Sequence, residues 1–141
     1  MKNGIQTFLQ EAGESACYAL CIIKIAEDIL GHELDPISSL LLGIEKHCID
    51  YNWQDETDNN NFYVRDPAHF LSGLIGKTVT VRVESADLKP APHEYAVQCW
   101  QRTKTGQVIT HFKIAGWDPL VHSVTVAQGQ IASLRIFTVK E

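Results

Sequence analysis

Apolar residues in the first half of the chain recur at helical spacing. They predict a first helix from Ala16 to about Gly31, with Ser15 as its N-cap and the glycine as its stop signal. Residues 16–23 are apolar on every side, whereas polar residues appear at helical spacing only after them. We therefore expect a central helix whose N-terminal half is buried all round.

Two Asp-Pro pairs predict the starts of the next two helices. Asp is a frequent N-cap, and Pro suits the first helical turn, so Asp35 and Asp66 predict helices over 36–48 and 67–76. The segment 53–61 between them is polar and rich in Asn. It predicts a solvated loop that tolerates substitution.

After residue 76 the pattern changes from helical spacing to alternation. Strands are predicted over 78–83, 95–101, 107–115, 121–126 and 131–139. The second and third of these form a hairpin around Lys104-Thr105-Gly106, and the last two form another. Helices in residues 1–76 and an antiparallel sheet in residues 77–141 predict the α+β class.

Composition narrows the classes of protein. A chain of 141 residues that is 45% hydrophobic suits one domain with one core. The net charge of -5 and the lack of a basic run argue against a nucleic-acid partner. The apolar stretch 16–23 is too short to span a membrane, and the first residues do not resemble a signal peptide. We expect a cytoplasmic protein without a membrane partner.

The four cysteines are candidates for chemistry or for packing. Cys17 lies two positions after the predicted cap, where free amides and the helix dipole favour a thiolate, so we expect its thiol to ionise easily. The other three, Cys21, Cys48 and Cys99, have apolar surroundings that indicate packing. A zinc site is an alternative reading of the Cys and His content, although no second close Cys pair supports it.

A histidine and an aspartate supply the groups that a thiol nucleophile needs. His111 lies in a predicted central strand, on the face opposite Phe112. Asp118 follows that strand and can accept a hydrogen bond from the far nitrogen of the imidazole, which would orient the ring. Asp118 can also simply start a turn, because the other two Asp-Pro pairs of this chain are explained by a local structural role, the capping of a helix.

These residues resemble the papain-like cysteine peptidases. The segment 13–20, Gly-Glu-Ser-Ala-Cys-Tyr-Ala-Leu, looks like their nucleophile segment, and Gln10, Cys17, His111 and Asp118 stand in the family's order. The pairing of His-Phe with Asp-Pro, and the pattern of the last strands, are similar to the bacteriocin-processing branch and to relatives in bacterial and phage genomes.

The resemblance implies a fold and an activity. The fold would be papain-like, with the central helix first and the antiparallel sheet after it. Cys17 would be the nucleophile, His111 the general base and then acid, Asp118 its orienting group, and Gln10 the oxyanion donor. The substrate would be a peptide or another amide, with hydrolysis or transfer as the outcome and no cofactor or metal. The alternative is a papain-like module that binds a peptide or cell-wall fragment without turnover.

Overall fold

The described part of the chain contains helices followed by strands. The computed structural model describes Gln6, Phe8, Ala12 and the ranges 15–119 and 129–140. The elements are α1 (Cys17–Leu30), α2 (Pro36–Glu45), α3 (Pro67–Ile75), β1 (Val79–Glu84), β2 (Glu94–Lys104), β3 (Gln107–Lys113) and β4 (Gln130–Val139). All strand pairs are antiparallel. The predicted α+β class is confirmed.

The start of α1 differs from the prediction. Its N-cap residue is Ala16, and no side chain caps the helix. Ser15 is exposed and itself helical, and the Ala16 N–H already bonds the Ala12 carbonyl at 3.2 Å. The Ser15 cap is therefore wrong, because a preceding helical turn leads into α1. The stop is confirmed: Gly31 adopts φ 78° and its N–H bonds the Glu27 carbonyl.

Both Asp-Pro helices begin as predicted. The Asp35 carboxylate accepts a hydrogen bond from the Ser38 N–H, and the Asp66 carboxylate accepts one from the His69 N–H, each at 3.1 Å. Helix α2 ends at Glu45, earlier than predicted. The chain turns away there because the backbone of His47 is left-handed, at φ 62°.

The sheet places the strands in the order β1-β4-β2-β3. The turn between β2 and β3 has positive φ at Thr105 and Gly106, as a tight two-residue hairpin requires. Among the described strands, β3 is at the edge; a central position for the strand of His111 stays a prediction, because residues 120–128 are not among those described. β4 lies between β1 and β2, and the predicted strand 121–126 lies outside the described residues.

The core forms where α1 packs on one face of the sheet. The Tyr18 ring stacks on Phe112 with centroids 4.4 Å apart and meets Phe137 edge-on. Phe137 and its neighbour Ile136 are both fully buried. Because adjacent strand residues point to opposite faces, the sheet is buried on both sides at this level.

Most of the segment 53–61 is exposed, as predicted. Asn61 is an exception, because it is buried and its side-chain oxygen accepts a hydrogen bond from the Asn52 N–H at 2.7 Å. Its Nδ2 also donates to the Asp55 carbonyl at 3.2 Å, so we expect substitution of Asn61, unlike that of its exposed neighbours, to destabilise the segment. Within the described ranges, no helix is both long and apolar enough to cross a bilayer.

Candidate active site

Cys17 is the first residue of α1 and is half-buried. Burial raises the pKa of its thiol above the ordinary value, and the nearby charge of Asp118 acts in the same direction. Backbone hydrogen bonds from Phe112, Tyr18 and Cys17 itself lower the pKa, but they do not outweigh burial. The expected easy ionisation is therefore wrong: the helix start is present, but the thiol has lost too much water.

The thiol lies against the outer edge of β3. Ile114 and Trp117 exchange both backbone hydrogen bonds, at 3.0 and 2.9 Å, so the Ile114 N–H points away from β2. The Phe112 N–H, two residues earlier in the strand, points the same way. This amide is close enough to the Cys17 sulfur to lower the pKa of the thiol, so the nucleophile candidate lies beside the strand that carries His111.

His111 and Asp118 are joined by a hydrogen bond of 2.9 Å between Nε2 and Oδ1. A tight turn brings them together: Gly116, at φ 79°, allows the chain to reverse between Ile114 and Trp117. Asp118 then lies beside β3, diagonally across from His111. The His111 side chain is only 4% exposed and that of Asp118 is 24% exposed. The hydrogen bond predicted from the sequence is present.

This hydrogen bond decides which ring nitrogen is left for chemistry. An ionised carboxylate can only accept, so Nε2 donates to Asp118 and Nδ1 is the nitrogen with a free lone pair. No hydrogen bond joins the Cys17 thiol to the His111 ring, both of which lie in the described part of the chain. The structure thus pairs His with Asp and places Cys17 nearby, without a closed Cys–His contact.

The remaining cysteines are all buried. Burial raises the pKa of Cys21 strongly, and burial also raises the pKa of Cys48. These environments suit thiols that fill space rather than react. Among the residues that the structure describes, no group of three or more His, Cys, Asp or Glu side chains could hold a metal ion.

The oxyanion donor predicted from the sequence cannot be placed. Gln10 lies outside the described residues. The nearby Gln6 is helical and exposed. The role of Gln10 therefore stays a prediction.

Cys17 borders a cleft of about 660 Å³, called the Cys17 cleft below. It lies between the start of α1, residues 59–67 and the sheet face that carries Phe112. Of the residues that line it, the sequence predicted a site role only for Cys17; Tyr18 and Arg135 are among those that were missed. A signal for Arg135 exists: alternation puts it on the same sheet face as Phe137 and Val139, both buried, where an arginine is unusual.

The chain has no detected relative that could assign its function. No protein-family model matches it, and comparisons with curated proteins and with solved structures likewise give no match. Function must therefore be argued from the chemistry of the site.

Proposed function

We propose that this protein is a papain-like thiol hydrolase or transferase that acts on a peptide or other amide bond. Cys17 is the nucleophile, His111 the general base and then acid, and Asp118 the group that orients the imidazole. The observation that carries the proposal is the 2.9 Å hydrogen bond between the almost fully buried His111 ring and Asp118.

The surroundings of this pair support a catalytic role. The strand of His111 also supplies the Phe112 amide that lowers the pKa of the Cys17 thiol, so the thiol lies beside the strand that carries the base. The thiol opens onto a cleft large enough for several residues of an extended peptide. The chain order of Cys, His and Asp matches the resemblance to papain-like peptidases.

The chemistry follows from which atoms are available. His111 Nδ1 accepts the thiol proton while Cys17 Sγ attacks the carbonyl carbon of the amide. Collapse of the tetrahedral intermediate breaks the C–N bond, and the imidazolium returns the proton to the leaving amine. The resulting thioester is resolved by water, giving a carboxylic acid, or by an amine, giving a new amide. Asp118 holds Nε2–H throughout, which keeps Nδ1 directed at the reaction.

The raised pKa of Cys17 makes the resting nucleophile a neutral thiol. Proton transfer then has to accompany attack, instead of preceding it in a stable thiolate–imidazolium pair. Closing the Cys17–His111 contact is part of this step, since catalytic hydrogen bonds often tighten only when substrate is bound.

A non-catalytic peptide-binding module is the second candidate. Two observations favour it: no hydrogen bond joins Cys17 to His111, and burial opposes ionisation of the thiol. The same cleft would then hold a peptide without breaking it.

Incubation with a library of peptides from a digested proteome, followed by mass spectrometry of new N-termini, separates the two. Wild type is expected to generate cleavage products, whereas Cys17→Ala and His111→Ala are expected to generate none. Cys48→Ala is the matched control, because this buried thiol lies in the helical half of the chain and should be dispensable for cleavage.

Two outcomes contradict the hydrolase. Cleavage that persists in Cys17→Ala would assign the activity to other groups. If wild type cleaves nothing, forms no new amide in the presence of added amines, and yet retains peptides on a column of immobilised protein, the binding module is the correct function.

A further inference from the structure

The Cys17 cleft is lined by basic side chains in an acidic protein. Its described lining contains three arginines, Arg65, Arg82 and Arg135, and no Asp or Glu. The whole chain carries a net charge of -5. A cleft whose charge opposes that of the protein selects for anionic groups.

Two of the three arginines are already neutralised. Arg65 donates from Nε and Nη2 to both carboxylate oxygens of Asp50, at 3.0 and 2.9 Å. The Arg82 guanidinium bonds the carboxylates of Glu84 and Glu94, at 2.9 and 2.7 Å. Their charges are therefore balanced by carboxylates of the same chain.

Arg135 is different. Its Nη1 donates to the Ser133 hydroxyl at 2.7 Å, and its guanidinium carbon lies 5.7 Å from the centre of the Phe112 ring. No carboxylate forms a salt bridge with it among the residues the structure describes. A half-buried guanidinium that has neither a counter-ion nor full contact with water is a ready binding group for an anion.

Tyr18 supplies a second donor at the same place. Its ring stacks on Phe112, and the charge of Arg135 is close enough to act on its hydroxyl. Burial raises the pKa of Tyr18, so the phenol keeps its proton at neutral pH and can donate. Its hydroxyl has no hydrogen-bond partner within the described ranges.

We propose that Arg135 and the Tyr18 hydroxyl form a subsite for a carboxylate of the substrate, next to Cys17. Arg135 is then a specificity-determining residue, and the preferred substrate is a peptide or amide with a carboxylate a few bonds from the bond that is attacked. This inference rests on the proposed function in that it treats the ligand as a substrate. The binding of a carboxylate in the cleft does not itself require catalysis.

Alkylating reagents that differ only in charge test the subsite without any amide cleavage. N-bromoacetylglycine carries a carboxylate, and N-bromoacetylglycinamide is its neutral counterpart. The rate constants for Cys17 adduct formation at pH 8.5 are measured by mass spectrometry, and their ratio is divided by the same ratio for N-acetylcysteine amide. Dividing by the ratio for the free thiol corrects for the difference in intrinsic reactivity between the two reagents. Because both reagents attack the same thiol, the pKa of Cys17 does not affect the ratio.

The corrected ratio in wild type should favour the carboxylate reagent. Arg135→Gln should lower it by about tenfold or more, as expected when a charge-assisted hydrogen bond is lost. Arg135→Lys should retain part of the preference. Arg65→Gln is the matched control, because it removes a cleft arginine whose charge is already paired, and it should change the ratio by no more than about twofold.

Two further reagents distinguish the sources of the carboxylate. The α-amide of N-bromoacetyl-aspartic acid offers a side-chain carboxylate. N-bromoacetyl-asparagine offers a carboxylate at the chain end. The faster of the two identifies an acidic side chain or a free chain terminus as the group recognised.

The proposal is overturned if Arg135→Gln leaves the ratio unchanged or if Arg65→Gln lowers it equally. Should Arg135→Gln fail to fold, wild type alone decides: N-acetylglutamate must slow iodoacetamide labelling of Cys17 more than N-acetylglutamine does, and equal protection refutes the subsite. A preference for the carboxylate reagent without any peptide cleavage would support the subsite and refute the hydrolase. The failure of one proposal can therefore be told from the failure of the other.

Discussion

Replacing Asp118 by Ala removes the acceptor that holds His111 Nε2 at 2.9 Å. The imidazole is almost fully buried, with 4% of the side chain exposed, so little water can replace the lost carboxylate. A hydrogen bond to a charged partner contributes about 1.5–3 kcal/mol. We expect Asp118→Ala to lower the free energy of unfolding by about that amount, because a buried donor is left unpaired.

The free energy of this hydrogen bond sets an upper limit on how much the reactivity of Cys17 can fall. If the whole of it serves to orient the imidazole, its loss slows any reaction that needs proton transfer to Nδ1 by about 10- to 150-fold, at 1.36 kcal/mol per factor of ten. Asp118→Asn keeps an acceptor in place, and a neutral hydrogen bond is worth about 0.5–1.5 kcal/mol. The Asn variant should therefore lose less than about tenfold.

Labelling of Cys17 by iodoacetamide at pH 7 measures this effect, since the thiol is then protonated and depends on a base. Mass spectrometry gives the rate for Cys17, and urea unfolding gives the stability of each variant. Asp66→Ala is the matched control. It removes the cap of α3 and should cost about 0.5–2 kcal/mol of stability without changing the Cys17 rate.

The reasoning fails if Cys17 reacts at one rate in wild type, Asp118→Ala and Asp118→Asn while only stability changes. Asp118 would then have a local structural role only, as the aspartates that cap α2 and α3 do.

Burial raises the pKa of the Cys17 thiol, so its labelling rate should keep rising with pH beyond the inflection of a free cysteine at about 8.5, and an inflection below about 7 would reveal a thiolate–imidazolium pair instead. Gly43→Ala should lower the free energy of unfolding by about 1–3 kcal/mol, because its Cβ would lie 2.6 Å from an isoleucine carbon. Gly73→Ala meets nothing within 4 Å and should raise it by about 0.5–1 kcal/mol; equal changes in urea unfolding would contradict the packing argument. The hydrogen bond from Arg82 lowers the pKa of Glu94 from 4.5 to about 2, so the carboxylate stabilises the fold at neutral pH and this contribution is lost as pH falls through that window. Glu94→Gln should accordingly lose less stability than wild type between pH 6 and pH 3, and an equal loss in urea titrations would argue against this contribution.

The features that could be predicted from the sequence are governed by neighbours in the chain. The helix starts after Asp35 and Asp66 depend on a side chain three residues from the amide that it caps. The Thr105-Gly106 turn depends on two backbone angles. The His111–Asp118 hydrogen bond belongs to this group too, because one tight turn joins the two residues.

The errors at Ser15 and Cys17 have the opposite origin. A serine before an apolar run looks like a cap, but Ser15 is itself helical and the Ala16 amide before α1 already bonds the Ala12 carbonyl. A cysteine at a helix start looks ionisable, but the sheet that packs over it removes the water that a thiolate needs. Neither the helical turn before α1 nor the sheet could be inferred from the residues beside them.

The sequence by itself determined most of the helices and strands, the caps of α2 and α3, the Thr105-Gly106 turn and the pairing of His111 with Asp118, because each depends on contacts over a few residues. Only the tertiary structure decided that β4 lies between β1 and β2, that β3 is at the edge among the described strands, and that Arg135 and Cys17 line the same cleft. These arrangements bring together segments that are distant in the sequence, and Cys17 and Arg135 are more than 100 residues apart. Their free energy comes from burying whole faces against one another, and no local pattern of residues records which faces meet.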